Sequence, residues 1–520
     1  MDQDHGVNCM KTEYKIITLL LCSLFAMPFS GCKAANESDV SEIQTSTASL
    51  TSEDTVPESF PSYGTVEETE TDADKSYIRM LNDVVPDMMR PDYWIANGTA
   101  GGFDMNQVLM TPDEIAGFNS ENHTPFKKAD GTVMFYWNEI GNTFSGEDLI
   151  YLLEANRSQI PDNPSEYYLN GKPTTSSYWQ QLASLDNIDE VSDSVQVRYG
   201  FTVKRSTLRL FPTEDKVYKG KTDKYFDYNL FSECMPYTPC LILHESSDGN
   251  FYYVVFDSYA AWVSKEVVAL CSGRDDWQAR QNPSQFLTVT AREIRLGNDP
   301  HSSAISNLVL PMGTQMELVQ ASDAPSSIHQ RTTYGNYVVK VPTRDSSGNI
   351  ADEYVLIPFS DDVTVGVLEY TSGNLLRQTF KLLGDRYGWG GDLQANDCTG
   401  IIREVYKCFG ILMPRTGQTA VTGVYKYDLS GKTDSEKIEV LKQMYPGSIL
   451  SLPGHMMIYI GTVNNRPYVI SAVGTFVEPK PGPDTVLHPE SVVLSSLYVR
   501  SRRLNTWLSS LKTALTVDNV

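Results

Sequence analysis

The spacing of apolar residues changes twice along this chain, and that change limits the possible fold more than any single motif. Helical stretches are found in residues 76–194, short β-branched and aromatic runs fill residues 195–366, and both patterns are mixed in residues 367–520. One hydrophobic core rarely organises more than about 250–300 residues. A chain of 520 residues with three successive patterns is therefore predicted to be a multidomain protein.

The N-terminus has the pattern of an export signal. Lys11 and Lys15 precede an apolar stretch, Ile16–Phe29, that is too short for a comfortable membrane span and is followed by small residues before Cys32. Residues 1–32 resemble a bacterial lipoprotein signal peptide, in which the cysteine is acylated; an ordinary signal peptide cut near the same place is the alternative. We expect the mature protein to be exported and lipid-anchored in the cell envelope, facing the periplasm or the cell surface.

Residues 33–75 form a polar, acidic segment. No Lys or Arg occurs between Glu37 and Asp74, where Asp and Glu alternate with Ser and Thr. Such a composition cannot bury enough apolar surface to offset the entropy lost on ordering, so a disordered tether is predicted. The formal net charge of −23 argues against a nucleic-acid partner, which needs basic surface.

The two regions after the tether differ in their predicted secondary structure. Residues 76–194 are predicted to form a mainly helical N-terminal domain, with a capping box of Ser145 and Asp148 in its third helix. The predicted helices are Ser76–Val85, Thr111–Phe118 and Ser145–Asn156.

Residues 195–366 are predicted to form two small β-barrels, 195–280 and 281–366, from two sets of short strands separated by turns. The segment Arg205–Thr213, followed by Ala261–Val263, resembles the start and end of bacterial SH3-like domains. The predicted strands are Val195–Val203, Leu241–His244, Phe251–Phe256, Ala261–Val263, Phe286–Ala291, Leu308–Pro311, Gln315–Gln320, Tyr337–Val341 and Tyr354–Pro358.

The cysteine count leaves an odd number of thiols in the mature chain. In an exported protein this permits a disulfide among Cys234, Cys240 and Cys271 together with a reactive thiol elsewhere, and the spacing does not decide the pairing. No CxxC motif or Cys/His cluster suggests zinc, so no metal is expected. After loss of Cys9 and Cys22 and acylation of Cys32, the remaining cysteines are Cys234, Cys240, Cys271, Cys398 and Cys408.

Residues 367–520 are predicted to form an α+β domain in which Cys398 begins a helix. Apolar residues recur at helical spacing after Cys398 as far as Phe409. A thiol on the first turn meets the positive end of the helix dipole and free backbone N–H groups, which favour the thiolate. Cys398 is therefore a candidate nucleophile, whereas an inert core position, as expected for Cys408, is the alternative.

A candidate base lies further along the chain. His455 is expected at the start of a strand in which His455, Met457 and Tyr459 share one face. If His455 faces the start of the Cys398 helix, a Cys–His pair becomes feasible. Taken alone, a histidine at a strand end is more often structural.

Asp397-Cys398-Thr399-Gly400 and Gly454-His455, in this order, resemble the motifs of NlpC-type cell-wall peptidases, whose fold is a compact papain-like scaffold. The resemblance covers about residues 371–500 and implies a nucleophile, Cys398, a base, His455, and a tyrosine near the oxyanion position, Tyr387. Pro414-Arg415-Thr416 and Gln418 also match a pattern of the family. Where the family commonly has histidine as the third catalytic residue, this chain has Ser471, which would orient the base less strongly.

The order of helical region, two SH3-like barrels and peptidase resembles a subgroup that hydrolyses the γ-D-glutamyl-diaminopimelate bond. The resemblance implies a murein peptide or peptidoglycan as substrate, with a free N-terminal L-Ala bound near Tyr387, Trp389, Asp397 and Thr399, and it implies no cofactor. Asp397 could also cap the helix. A catalytically weak muropeptide- or wall-binding protein is the alternative function.

Overall fold

The computed structural model describes residues 78–415, 425–478, 484–502 and 504–517. The predicted signal peptide and tether lie outside the described residues, and so do Cys32, Thr416 and Gln418. Within these ranges, no helix combines the length and the apolar character that crossing a membrane would require.

Four α-helices occur in the described residues before 195, and two of them were predicted. Thr111 and Ser145 are the N-caps of α2 and α3, and each side chain accepts a hydrogen bond from a backbone N–H of the first turn. The helix predicted at Ser76–Val85 is wrong over its described part, because residues 78–85 are not helical. The helices are α1 (Pro91–Ala100), α2 (Pro112–Glu121), α3 (Gly146–Arg157) and α4 (Ser176–Ser184).

Proline explains where helical structure begins in this region. Pro86 opens a short 3-10 turn, Pro86–Met89, and Pro91 opens α1, which the sequence pattern did not predict. Proline lacks an N–H and has a fixed φ, so it suits the first turn of a helix, where that N–H would have no partner in the helix.

The regular structure of residues 78–194 is mainly helical, as predicted, but their buried apolar side chains pack into cores shared with other parts of the chain. Trp94 and Ile115 pack into the core of the C-terminal part, whereas Leu149 and Leu153 pack into a core shared with the first β unit. The region also contains strands, β1 (Phe126–Lys127), β2 (Val133–Phe135), β3 (Thr143–Ser145), β4 (Tyr167–Leu169), β5 (Lys172–Pro173) and β6 (Ser194–Gln196).

The first β unit is a seven-stranded antiparallel sheet of order β10-β8-β13-β12-β11-β7-β14, while β9 pairs with β4. The predicted strand Val195–Val203 is two strands, because β6 pairs with β3 and β7 pairs with β11. The strands are β7 (Arg198–Thr202), β8 (Ser206–Arg209), β9 (Val217–Lys219), β10 (Leu230–Cys234), β11 (Pro239–Glu245), β12 (Phe251–Val255), β13 (Ala260–Ser264) and β14 (Val268–Leu270).

A helix, α5 (Arg274–Gln281), leads to the second β unit, a five-stranded antiparallel sheet of order β22-β21-β18-β15-β23. The predicted strand at Leu308–Pro311 pairs outside this sheet, in a hairpin of β16 and β17. The strands are β15 (Phe286–Val289), β16 (Glu293–Arg295), β17 (Val309–Pro311), β18 (Gln315–Leu318), β19 (Ser327–Ile328), β20 (Arg331–Thr332), β21 (Asn336–Arg344), β22 (Ile350–Pro358) and β23 (Val363–Val365).

The C-terminal part is an α+β unit built on a six-stranded antiparallel sheet of order β24-β31-β25-β26-β27-β30. Alternate residues of β26 face opposite sides: Met456 packs with the helix that Cys398 begins, and Met457 packs with α8 and α9. The elements are α6 (Ser372–Phe380), α7 (Cys398–Lys407), α8 (Asp434–Leu441), α9 (Trp507–Ser510), β24 (Tyr425–Asp428), β25 (Ile449–Leu452), β26 (His455–Val463), β27 (Arg466–Val473), β28 (Phe476–Val477), β29 (Val486–Leu487), β30 (Ser491–Ser496) and β31 (Thr513–Thr516).

The five described cysteines are free thiols. Cys234 and Cys240 are fully buried in one hydrophobic cluster of the first β unit, and Cys408 is fully buried at the C-terminal end of α7.

Candidate active site

Cys398 is the first helical residue of α7, and its position is set by the residue before it. The Asp397 carboxylate is the N-cap and accepts hydrogen bonds from the backbone N–H groups of Thr399 and Gly400. A carboxylate there satisfies N–H groups that have no partner within the helix. Cys398 itself remains partly exposed to solvent.

The Cys398 thiol is held in its neutral form. Burial and, after it, the negative charge of Asp397 raise the pKa of Cys398 to about 12, although hydrogen bonds from the backbone N–H groups of Met456 and Thr399 act in the opposite direction. The helix start alone was expected to favour the thiolate. The pKa moves the other way because the thiol is buried and, second, because a carboxylate occupies the same helix start.

His455 begins β26 and lies next to the residue that hydrogen-bonds the sulfur. Its Nε2 is 3.2 Å from the Ser471 hydroxyl oxygen on β27, and its ring packs against Trp507 with the ring centres 4.9 Å apart. Burial lowers the pKa of His455 to about 4, while Asp397 acts weakly in the opposite direction. The imidazole is therefore neutral at pH 7.

The side chains of Cys398 and His455 share no direct hydrogen bond, and Cys398 is instead hydrogen-bonded to the backbone N–H of the residue after His455. Among the described residues, no hydrogen bond joins the Cys398 sulfur to the imidazole, and the sulfur reaches the start of β26 through the Met456 N–H. Since Ser471 engages Nε2, Nδ1 is the ring nitrogen left to exchange a proton with the thiol. Both side chains are partly exposed, so neither is walled off from solvent.

Asp397 also forms a buried ion pair with Arg415. The guanidinium donates two hydrogen bonds to the carboxylate, Nη1 to Oδ1 at 2.7 Å and Nη2 to Oδ2 at 2.6 Å, and the Thr399 hydroxyl and the Gly390 N–H donate as well. Burial alone would raise the pKa of Asp397, but Arg415, the Gly400 N–H and the Thr399 hydroxyl hold it below its usual value. Asp397 and Thr399 thus have internal partners, and their predicted contacts with substrate stay predictions.

The first β unit reaches the loop before Cys398 through charged residues. Glu233, on β10, is fully buried and accepts from Arg205 at 2.7 Å, and Arg205 also donates to the Asn396 side-chain oxygen at 2.8 Å. The second oxygen of Glu233 lies 3.9 Å from Arg415. A chain of charged and polar side chains therefore links the first β unit to the nucleophile helix.

Gly391 permits this close approach. It has φ of +90°, and a Cβ placed there would lie 2.3 Å from an oxygen of Glu233. Only glycine adopts this conformation readily and leaves room for the carboxylate.

Tyr387 and Trp389 lie at the same junction. Burial and, after it, the charges of Cys398 and Asp397 raise the pKa of the Tyr387 phenol well above its usual range, because this ring lies near both residues. Trp389 packs against Phe226 with ring centres 5.7 Å apart. Of the residues predicted at the substrate site, Tyr387 thus lies near Cys398, and Trp389 contacts the first β unit.

Some residues of this site were not predicted from the sequence. They are Arg205, Glu233, Asn396 and Glu404, whose carboxylate accepts from Asn396 at 2.8 Å. The one available signal was a charge within an apolar run, such as Glu233 before Cys234. Glu233 is too far from Cys398 along the chain for any sequence spacing to indicate that the two lie close together.

Comparisons with known proteins agree with this arrangement. A family model described as NlpC/P60 family matches residues 384–490, and a model described as SH3 domain (SH3b1 type) matches residues 216–264. No curated protein matches the sequence.

Two solved structures were compared with the chain. An NlpC/P60 endopeptidase from Photobacterium damselae subsp. piscicida is similar with a TM-score of 0.61 and 17% sequence identity, over 79% of this chain and 94% of that chain, which shows a shared fold. NlpC2 from Trichomonas vaginalis has 17% identity over 59% of this chain and 97% of that chain, but its TM-score of 0.21 supports no conclusion.

The matched residues contain the site described above. Cys398 and His455 lie inside the NlpC/P60 match, and Glu233 and Phe226 lie inside the SH3 match. No SH3 match covers the second β unit among these results, so its SH3-like character stays a prediction. The chain therefore joins an SH3 domain of the SH3b1 type to a domain of the NlpC/P60 family, a family of cysteine peptidases.

Proposed function

We propose that this protein is a cysteine endopeptidase that hydrolyses the γ-D-glutamyl-diaminopimelate bond of murein peptides in cell-wall turnover or recycling. The observation that carries the proposal is the meeting of three groups at one point: Cys398 at a helix start, the Met456 N–H on its sulfur, and His455 held by Ser471 at 3.2 Å. A nucleophile, a base and an orienting group are the parts that acyl transfer requires.

The neutral forms of both groups define the first step. Cys398 attacks the γ-glutamyl carbonyl carbon, and its proton passes to Nδ1 of His455 as the carbon–sulfur bond forms. With pKa values of about 12 for the thiol and about 4 for the imidazole, an ion pair is not the resting state, so proton transfer accompanies attack. The backbone N–H of Cys398 and the Tyr387 hydroxyl are proposed to stabilise the oxyanion.

His455 then returns its proton to the leaving amine of diaminopimelate as the carbon–nitrogen bond breaks. The remaining thioester is attacked by water, whose proton passes to His455 while the other oxygen–hydrogen bond stays in the new carboxyl group. The Cys398 sulfur leaves as the carbon–sulfur bond breaks and recovers its proton from the imidazolium, which restores the free enzyme.

The preferred substrate is proposed to carry a free N-terminal L-Ala. The support is the closed junction around Trp389, where Phe226 of the SH3 domain packs on a residue nine positions before the nucleophile. An SH3 domain in that place limits how far a substrate can extend. Export and lipid attachment at Cys32 complete the proposal and would place the enzyme beside its substrate.

The test uses purified protein and the tripeptide L-Ala-γ-D-Glu-diaminopimelate. We expect free diaminopimelate, detected by mass spectrometry, from the wild type and none from Cys398→Ala. A peptide blocked at its amino group by a lactyl group should be cleaved much more slowly. Cleavage of the blocked peptide at the same rate would contradict the proposed specificity, and no cleavage of either peptide would contradict the proposed activity.

One observation favours a second candidate, a muropeptide- or wall-binding protein with weak or no activity. The thiol and the imidazole are both neutral and share no described hydrogen bond. This candidate predicts saturable binding of the tripeptide without release of diaminopimelate, by the wild type and by Cys398→Ala alike.

A further inference from the structure

A cavity of about 540 Å³ lies behind α7, where the N-terminal region, both β units and the peptidase domain meet. Neither Cys398 nor His455 lines this space, which we call the junction cavity. Its volume lies within the range of about 300–1,000 Å³ that small-molecule pockets occupy. It is therefore a candidate binding site apart from the active site.

Two cations on α7 enter the junction cavity without an anionic partner. Arg403 Nη1 is buried and has no hydrogen-bond partner in the described structure, and the Lys407 ammonium takes part in no described hydrogen bond or ion pair. Burial and, after it, repulsion from Arg403 lower the pKa of Lys407 to about 8. Positive charge that is poorly compensated in this way favours an anion.

The other cations of the junction cavity already have partners. Lys340 pairs with Glu317 at 2.7 Å, and Arg280 pairs with Asp352 at 2.7 Å. Asp257 is an acidic group that also lines the space and partly opposes the lowered pKa of Lys407. Arg403 and Lys407 therefore carry the charge that a ligand could neutralise.

Glu404 supplies a third group for a ligand. It is 4% exposed, one oxygen accepts from Asn396, and the other oxygen is buried with no described partner. Burial raises the pKa of Glu404 to about 7, so a large fraction of this carboxyl group is protonated near neutral pH and can donate a hydrogen bond.

The rest of the lining of the junction cavity is largely apolar and suits the hydrocarbon part of a ligand. The apolar side chains that line the space come from the first β unit, the second β unit and the loop after α7, and they include Met235, Pro236, Phe286, Met312, Met316 and Met413. Methionine adapts its shape to irregular surfaces.

We propose that the junction cavity binds a small organic carboxylate. The carboxylate contacts Arg403, Lys407 and the Glu404 carboxyl group, and the apolar part of the ligand packs on the methionine side chains that line the cavity. An ionised carboxylate accepts several hydrogen bonds at once, and such bonds are stronger when donor and acceptor are charged.

The test compares three probes with the same number of carbon atoms on the full chain. Hexanoate, 1-hexanol and hexylamine are titrated into the protein, and binding is followed by saturation-transfer NMR. We expect saturable binding of hexanoate, at least about tenfold weaker binding of 1-hexanol, because charged hydrogen bonds contribute about 1.5–3 kcal/mol, and no binding of hexylamine. Binding of 1-hexanol as tight as that of hexanoate, or no saturable binding of hexanoate, would show a packing gap or a water-filled space and overturn the proposal.

Variants locate the binding. Arg403→Gln and Lys407→Gln should each weaken hexanoate binding about tenfold or more. Lys340→Gln is the matched control, since this cation faces the same space but pairs with Glu317, and its affinity should stay within about twofold of the wild type. Unchanged affinity in both test variants would overturn the proposal.

If Arg403→Gln does not fold, as judged by circular dichroism, Lys407→Gln decides alone, because the Lys407 side chain takes part in no described hydrogen bond or ion pair. These measurements require no peptidase activity, so their failure and the failure of the proposed function can be told apart.

Discussion

Arg415 and Asp397 form a buried ion pair with two hydrogen bonds, of 2.7 and 2.6 Å, directly beside Cys398. Their exposed fractions are 1% and 3%. Because the same carboxylate caps α7, the pair fixes the start of the helix that carries Cys398, the candidate nucleophile. Arg415 was known from the sequence only as part of a family pattern, and the structure gives it a physical role.

Removing Arg415 should destabilise the C-terminal domain strongly. Arg415→Gln leaves the buried Asp397 carboxylate without its counter-ion, and breaking a buried pair in this way costs about 3–5 kcal/mol. Arg295→Gln is the control, since Arg295 pairs with Glu293 at the surface and its loss should cost about 1 kcal/mol or less. Urea unfolding followed by circular dichroism measures both, and equal midpoints for the two variants would contradict the assigned role.

Gly391→Ala should separate the SH3 domain from the nucleophile loop. The added Cβ would lie 2.3 Å from a Glu233 oxygen, so we expect a loss of peptidase activity together with a lower melting temperature. Gly366→Ala is the matched control: its φ is +73° and nothing lies near its Cβ position, so only the backbone cost of about 1–2 kcal/mol applies. The idea fails if both variants lose the same amount of activity.

Ser471→Ala should lower kcat with little change in KM. Loss of one hydrogen bond to His455 corresponds to about 0.5–1.5 kcal/mol, or roughly a two- to tenfold lower rate. Ser495→Ala, on β30, is the control, because the Ser495 hydroxyl is buried and has no described hydrogen-bond partner. Steady-state kinetics on the tripeptide distinguishes the two variants, and an unchanged kcat in Ser471→Ala would remove Ser471 from the mechanism.

Alkylation of Cys398 should become faster as the pH rises. Iodoacetamide reacts with the thiolate, and with a pKa of about 12 the thiolate fraction grows about tenfold for each pH unit from 7 to 9. Mass spectrometry of the labelled peptide gives the rate, with N-acetylcysteine as the reference thiol. A rate that is the same at pH 6 and pH 9 would instead indicate a resting ion pair with His455.

Folding stability should fall in acid partly because of His455. Its pKa is about 4 in the folded chain, against about 6.5 for an unperturbed histidine, so between these values the unfolded chain binds a proton that the folded chain does not. This contribution is absent above about pH 6.5 and grows as the pH falls toward 4. Urea midpoints at several pH values should therefore fall less steeply in His455→Gln, and equal slopes would contradict the lowered pKa.

Local patterns were sufficient for much of the secondary structure near the site. The helix start at Cys398 and the strand start at His455 were both predicted, because amphipathic spacing and capping residues act over a few positions. The helix predicted at residues 78–85 was wrong, because helical structure begins only at Pro86, in a 3-10 turn, and at Pro91, in an α-helix. The sequence pattern also did not show that the apolar faces of the N-terminal region pack on three different cores.

The sequence by itself determined which residues could do the chemistry, Cys398, His455 and Ser471, and the kinds of elements that carry them. Only the tertiary structure decided that Arg415 neutralises Asp397, that Glu233 reaches the loop before Cys398, and that Cys398 and His455 both rest uncharged. The physical reason is distance along the chain. Spacing reports neighbours within a few residues, whereas burial and charge pairing depend on groups that folding brings together from different domains.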